Sequence, residues 1–151
     1  MRQRRLTLRI SNGSGRGMQE RVMVAYSFQQ RFVTPIRRLT KQQTIRADRK
    51  RHARIGEELQ LYTGMRTRQC KLIGRATCMS VTPITLEFGR GNGDGKICYD
   101  GIVFRSRDNL DQFAQLDGFD DWGGLVYFWE VNHPDMRVFS GIMIRWGGFV
   151  T

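Results

Sequence analysis

Residues 70–88 read Cys70-Lys-Leu-Ile-Gly-Arg-Ala-Thr-Cys78-Met-Ser-Val-Thr-Pro83-Ile-Thr-Leu-Glu-Phe88. Branched side chains of this kind fit a pleated sheet, so the stretch predicts one long bent strand, or two strands broken near Pro83. Gly89-Arg90-Gly91-Asn92-Gly93-Asp94-Gly95 follows, then an apolar run over 97–104; strand, turn text and strand predict a β-hairpin with a loose tip. Working upstream, residues 58–62 alternate Glu-Leu-Gln-Leu-Tyr, the period of a half-buried strand. Shorter strands are predicted over 42–46 and 21–26. Residues 28–38 form a short helical stretch interrupted at Pro35, whose ring suits a helix start. Downstream, 108–116 predicts a helix. A second starts at Asp120 or Asp121, carries Trp122, Leu125, Val126, Phe128 and Trp129 at helical spacing, and stops before Pro134. Residues 137–146 supply the last strand. This order predicts an α+β domain with a mostly antiparallel, barrel-like sheet and short flanking helices.

The chain has 151 residues, enough for one domain with a true core. At 40% hydrophobic and 11% aromatic it is not a disordered polyelectrolyte, and no apolar run is long enough for a membrane helix. Its net charge is +11, unevenly spread. Residues 1–54 hold 15 basic residues against Glu20 and Asp48, a net of +13; residues 55–151 hold 10 against 12 acids, a net of −2. Twenty-one of the 25 cations are Arg, whose guanidinium forks onto phosphates and stacks on bases. A polyanionic partner is favoured, nucleic acid first; a merely solvated basic surface is the alternative.

Residues 1–20 mix Arg with Gly and Ser and predict a flexible arm, with the folded domain over 21–151. Met18 would serve as an alternative start. No apolar segment suggests a secretory signal. Cys70, Cys78 and Cys98 are odd in number and lack a C-x-x-C spacing; with only His52 and His133 to add, no metal set is expected, and free thiols suit a reducing cytoplasm.

The glycine loop at 89–95 is not a dinucleotide fingerprint, which needs a helix to follow, nor a P-loop, and it lacks the glutamate of a calcium loop. Trp122, Phe128, Trp129 and Trp146 read as core. Tyr26, Phe28 and Tyr62 stand near the basic segment, and one of them is a candidate base-stacking platform, with core packing as the alternative. The informative stretch is Lys41-Gln42-Gln43-Thr44-Ile45-Arg46. On a strand Thr44 and Arg46 share a face and Ile45 takes the other. Ile45 then anchors the core while a hydroxyl and two cations face a cleft suited to an anionic or carbonyl-bearing ligand; an ordinary edge strand explains the pattern as well.

Lys41-x-x-Thr44-Ile45-Arg46 resembles the G-x-K-x-x-T-I-R signature of the ASCH domain, a relative of the PUA RNA-binding domain. Tyr26-Ser27-Phe28-Gln29-x-Arg31-Phe32 is similar to that family's first strand and turn, His52-Ala53-Arg54-x-Gly56-Glu57-x-Leu59 to its loop into the next strand, and Asp117-Gly118-Phe119 to its acidic-Gly-Phe segment. The resemblance spans about residues 21–147. Leu39 stands where the family has glycine, and Asp117 where its amidohydrolase members have glutamate.

The resemblance implies a PUA-like barrel with a cleft that binds RNA or a modified nucleoside; DNA is also possible, and no cofactor, metal or membrane association is expected. Arg46, Arg49, Lys50, Arg51 and Arg54 would contact the nucleic acid, with Tyr26 stacking on a base. Some members deacetylate N4-acetylcytidine, and their catalytic positions carry over to Lys41, Thr44 and Asp117. A neutral Lys41, desolvated and crowded by Arg46, would take a proton from Thr44 or a water, while Asp117 serves the leaving amine. A weaker expectation is a phage or prophage accessory protein that docks on a partner or genome. The oligomeric state is left open.

Overall fold

Residues 71–87 form a single strand, and the rest of the sheet is organised around it. The computed structural model describes residues 5–10, 19–89 and 94–150. In chain order they form β1 (Arg5–Ile10), β2 (Gln19–Phe28), a 3-10 turn (Gln30–Phe32), α1 (Val33–Arg37), β3 (Gln43–Arg46), β4 (Glu58–Thr63) and β5 (Lys71–Glu87). β6 (Lys96–Tyr99), β7 (Ile102–Phe104), α2 (Arg107–Leu116), α3 (Trp122–Asn132) and β8 (Val138–Phe149) follow. The fold is α+β, with an eight-stranded sheet and three short helices.

β5 runs unbroken through Pro83. It pairs with β4 over 71–77, with β6 over 85–87 and with β8 over 76–87, all antiparallel. Along 78–84 β8 is the one strand paired with it among the described residues, so a residue without an N–H is tolerated on the open edge. The irregularity falls instead at register shifts between Ala76, Cys78 and Ser80. The hairpin joins β5 to β6, and its tip, residues 90–93, lies outside the described residues.

Three expectations are corrected. First, residues 1–20 are not wholly an irregular arm: β1 pairs antiparallel with β2, from Arg5 opposite Val24 to Ile10 opposite Gln19. Residues 1–4 and 11–18 lie outside the described residues. Second, β4 is buried along nearly its whole length rather than on alternate residues. It lies between β2 and β5, and Met23, Tyr62 and Arg75 cover Gln60 and Glu58 from the side. Third, the sheet is not closed into a barrel among the described residues. β2 and β4 are parallel, joined by the crossover that contains α1 and β3, and β3 pairs only with β8.

Two helices pack on the sheet. Ser106 caps α2 by accepting the Asn109 N–H, and Asp121 caps α3 by accepting the Gly124 N–H. Leu110, Phe113 and Ala114 of α2, and Trp122, Leu125 and Trp129 of α3, are buried. Trp146 is buried as well, so all three tryptophans are core. No helix among the described residues is long and apolar enough to cross a membrane.

Candidate functional site

Two backbone turns converge on one point. The first is the end of α2. Gly118, with φ +97°, donates to the Gln115 carbonyl, and Phe119 donates to the Ala114 carbonyl. This is a Schellman cap, and it explains Asp-Gly-Phe physically: glycine takes the left-handed position and the next apolar residue folds back. Asp117 is thereby set at the C-terminus of α2 and buried. The second turn follows α1, where Thr40 and Lys41 both donate their N–H to the Pro35 carbonyl. Leu39 occupies φ +59° in it, a conformation that glycine adopts freely and leucine only under strain.

The turns deliver Lys41 to Asp117. Lys41 Nζ donates to the Asp117 backbone carbonyl at 2.6 Å, covering one of the unpaired carbonyls at the end of α2, and lies 3.5 Å from Asp117 Oδ1. Both side chains are buried. Burial pushes the Lys41 amine down to about 8; Asp117 opposes that shift, and the charges of Arg46 and Arg31 add to it. Burial raises the Asp117 carboxyl, against the pull of Lys41, Gln43 and Arg46.

β3 supplies the rest. Gln43, fully buried, donates through Nε2 to Asp117 Oδ1 at 3.4 Å, and its Oε1 accepts from Arg145 Nε at 3.2 Å. Arg46 Nε donates to Thr44 Oγ1 at 3.0 Å, and its NH2 group reaches the Ser27 carbonyl on β2 at 2.7 Å. One guanidinium thus spans the gap where no backbone ladder joins β3 to β2. Burial lowers Arg46 to about 10, so it stays cationic at neutral pH.

Four of these residues border a cavity of about 720 Å³. Lys41, Thr44, Arg46 and Asp117 line it on one side; Phe28, Phe32, Phe119, Phe128, Trp129 and Phe139 supply aromatic walls. Phe32, Phe119 and Phe128 contact one another edge-on or tilted at centroid separations of 5.3 to 5.5 Å. Ile45 is half-buried against the core and also borders the cavity. A second hollow, on the far side of Gly118, is lined by Pro35, Leu39, Thr40 and Leu116 and holds no buried ionisable group.

Of the residues singled out from sequence, Lys41, Thr44, Arg46 and Asp117 come together. The basic loop does not join them. Ala47 is the last of that segment to line the cavity. Arg51 is paired with Glu57 at 3.1 Å, Lys50 and Arg54 are exposed elsewhere, and Arg49 reaches the site only through its charge on Arg46. Tyr26 is also corrected. It is 1% exposed, stacked against His52, with its hydroxyl accepting the Ala53 N–H, so its face is not offered to a base. Sequence reading missed Gln43, Gln29, His133 and the turn that carries Met65, Thr67 and Gln69, all at or bordering the site. No motif marks them, though the turn text Thr-Gly-Met-Arg-Thr-Arg-Gln at 63–69 lies between two strands and is rich in polar groups.

Cys70, Cys78 and Cys98 are free thiols, and no cluster of His, Cys, Asp or Glu among the described residues could hold a metal ion. No protein-family model, curated protein or solved structure matches this chain.

Proposed function

We propose that this chain is an ASCH-type, PUA-like domain that binds a nucleoside, free or within RNA, in the cavity between β3, the end of α2 and α3. On this reading the open sheet is a variant of the PUA-like one, and the Arg46 side chain bridges β3 to β2 where no strand pairing joins them. The observation that carries the proposal is the two-sided construction of the cavity. Aromatic rings fit the face of a planar base, while Lys41, Thr44 and Arg46 offer donors for its polar edge. The sequence resemblance supports the same ligand class, and the free thiols suit a cytoplasmic setting. Titrating the four ribonucleosides, N4-acetylcytidine and a short RNA into labelled protein tests it. Shift changes should centre on Thr44, Arg46 and Phe119; the absence of binding by all of them overturns the reading.

A second reading is favoured by one observation, the lowering of the Lys41 amine to about 8. An amine at that value is partly neutral near pH 7 and can act as a base. It would accept the proton of the Thr44 hydroxyl, or of a water, as oxygen attacks the N4-acetyl carbonyl carbon. The C–N bond then breaks, the departing amine takes the proton, and water completes release of acetate. Lys41→Ala and Thr44→Ala should each abolish deacetylation of N4-acetylcytidine. Wild-type protein that leaves this nucleoside intact excludes the hydrolase and leaves the binding reading standing.

A further inference from the structure

Behind the cavity, the site is tied to a side chain that a ligand would not touch. Lys41 and Asp117 line the cavity, whereas Gln43 and Arg145 do not. The four nevertheless form one chain of contacts. Lys41 Nζ lies 3.5 Å from Asp117 Oδ1, the same oxygen accepts from Gln43 Nε2 at 3.4 Å, and Gln43 Oε1 accepts from Arg145 Nε at 3.2 Å. Gln43 is fully buried, so its amide has no bulk water to turn to.

Arg145 is held for this contact from several sides. On β8 it stands opposite Gln43 of β3 and, across the other edge, opposite Ser80 of β5. Its guanidinium carbon lies 5.4 Å from the centre of the Tyr99 ring on β6, and Tyr99 stacks in turn on Phe104 of β7. A cation held over a ring face keeps both its charge and its N–H donors. One of those donors meets Gln43.

The chemistry of the two ends decides how the amide lies. An arginine N–H only donates, so it takes the amide oxygen and leaves the NH2 end for Asp117. A carboxylate, which only accepts, is served by that end. A protonated carboxyl would offer a hydrogen of its own, and the acceptor end of Gln43 is already occupied. Without Arg145 the amide could turn over and serve either form. We infer that Arg145 is a positioning residue of this site: by holding the carbonyl end of the Gln43 amide, it turns the NH2 end onto Asp117 and so keeps Asp117 as the carboxylate that faces Lys41. Burial opposes that carboxylate, and the Gln43 bond is the next influence in its favour after the Lys41 charge. The other charges felt at the pair are those of Arg46 on β3 and Arg31 in the 3-10 turn, and His133 at the end of α3 borders the same cavity. The inference rests on this cavity being the functional site, and in the hydrolase reading Arg145 sets the pH range over which the base has a charged partner.

Titration of the Asp117 carboxyl by ¹³C NMR in ligand-free protein tests it, with Asp117→Asn assigning the resonance. Arg145→Met should raise the Asp117 midpoint by about one pH unit or more, the size of one hydrogen bond to a charged acceptor. Gln43→Met should raise it as far, and Arg145→Met should add nothing in that background. Arg145→Met should also speed hydrogen exchange at the Gln43 side-chain amide. Arg145 is half-buried, so its variant should fold, which the amide spectrum checks. An unmoved Asp117 midpoint overturns the inference. So does an Arg145→Met shift that persists in the Gln43→Met background, because the arginine would then act by charge across space. Should Gln43→Met not fold, the exchange of the Gln43 amide in Arg145→Met decides, and an unchanged rate overturns the inference. No nucleoside enters these titrations, so their failure spares the nucleoside reading, and a wild-type protein that binds no nucleoside leaves the Arg145 result standing.

Discussion

Replacing Asp117 with Asn tests the electrostatic core of the site directly. Burial pulls the Lys41 amine down to about 8, and Asp117, with its carboxylate 3.5 Å from Nζ, is the strongest influence pushing the other way. An opposite charge at such range is worth about 1–3 pKa units, so Asp117→Asn should lower Lys41 from about 8 to roughly 5–7. The sign for stability follows. An unfolded lysine holds its proton to about pH 10.4, so the depressed amine already costs the fold about 3 kcal/mol at pH 7. That cost fades as pH rises from about 8 toward 10.4, because the folded amine is neutral before the unfolded one. In the variant the added cost is capped, since Lys41 can release its proton. At pH 7 this limits the further loss from charge to about 1–2 kcal/mol, below the 3–5 typical of a broken buried pair. The loss should grow toward pH 6 and shrink above pH 8. The chain has four lysines, so ¹³C-labelled lysine side chains give a readable titration, with Lys41→Met assigning the resonance. Urea unfolding at pH 6, 7 and 9 gives the stability arm. A Lys41 midpoint in Asp117→Asn at or above its wild-type value would refute the pairing.

Three further outcomes follow from the same geometry. Arg46→Ala removes the charged donors to Thr44 and Ser27, and should cost about 2–4 kcal/mol in urea unfolding and speed amide exchange at the end of β2; a loss under half a kcal/mol would mean that the guanidinium does not bridge β3 to β2. Gly118→Ala forces a side chain into φ +97° and sets its Cβ 2.9 Å from the Lys41 stem, so it should cost about 1–3 kcal/mol and shift the Lys41 titration; an unchanged titration would separate the cap from the site. Leu39→Gly relieves a left-handed leucine and should leave stability equal or raise it by up to about 1 kcal/mol, read as thermal midpoint, while Leu39→Val should lower it.

Chemical type and period were legible in the chain itself. The helical spacing of Leu125 and Trp129 put them in the core, the Asp120-Asp121 pair announced a cap that Asp121 supplies, and the Lys41–Arg46 stretch marked a strand end with a polar face, because these signals are local and a helix or strand reads them within a few residues. β1 was also written there, as Leu6, Leu8 and Ile10 alternating with polar residues, but the surrounding Arg and Gly text hid it. Tertiary structure alone decided which candidates meet. Tyr26 stands upstream of the motif and Arg46 ends it, and both were read as ligand contacts, yet the packing of His52 buries the ring while the β2–β3 gap takes the guanidinium. Gln43 bears on the site because α2 ends opposite it, and Asp117 meets Lys41 across 76 positions of chain. Burial, and with it the displaced amine, comes from atoms distant in sequence, so no local pattern of residues carries it.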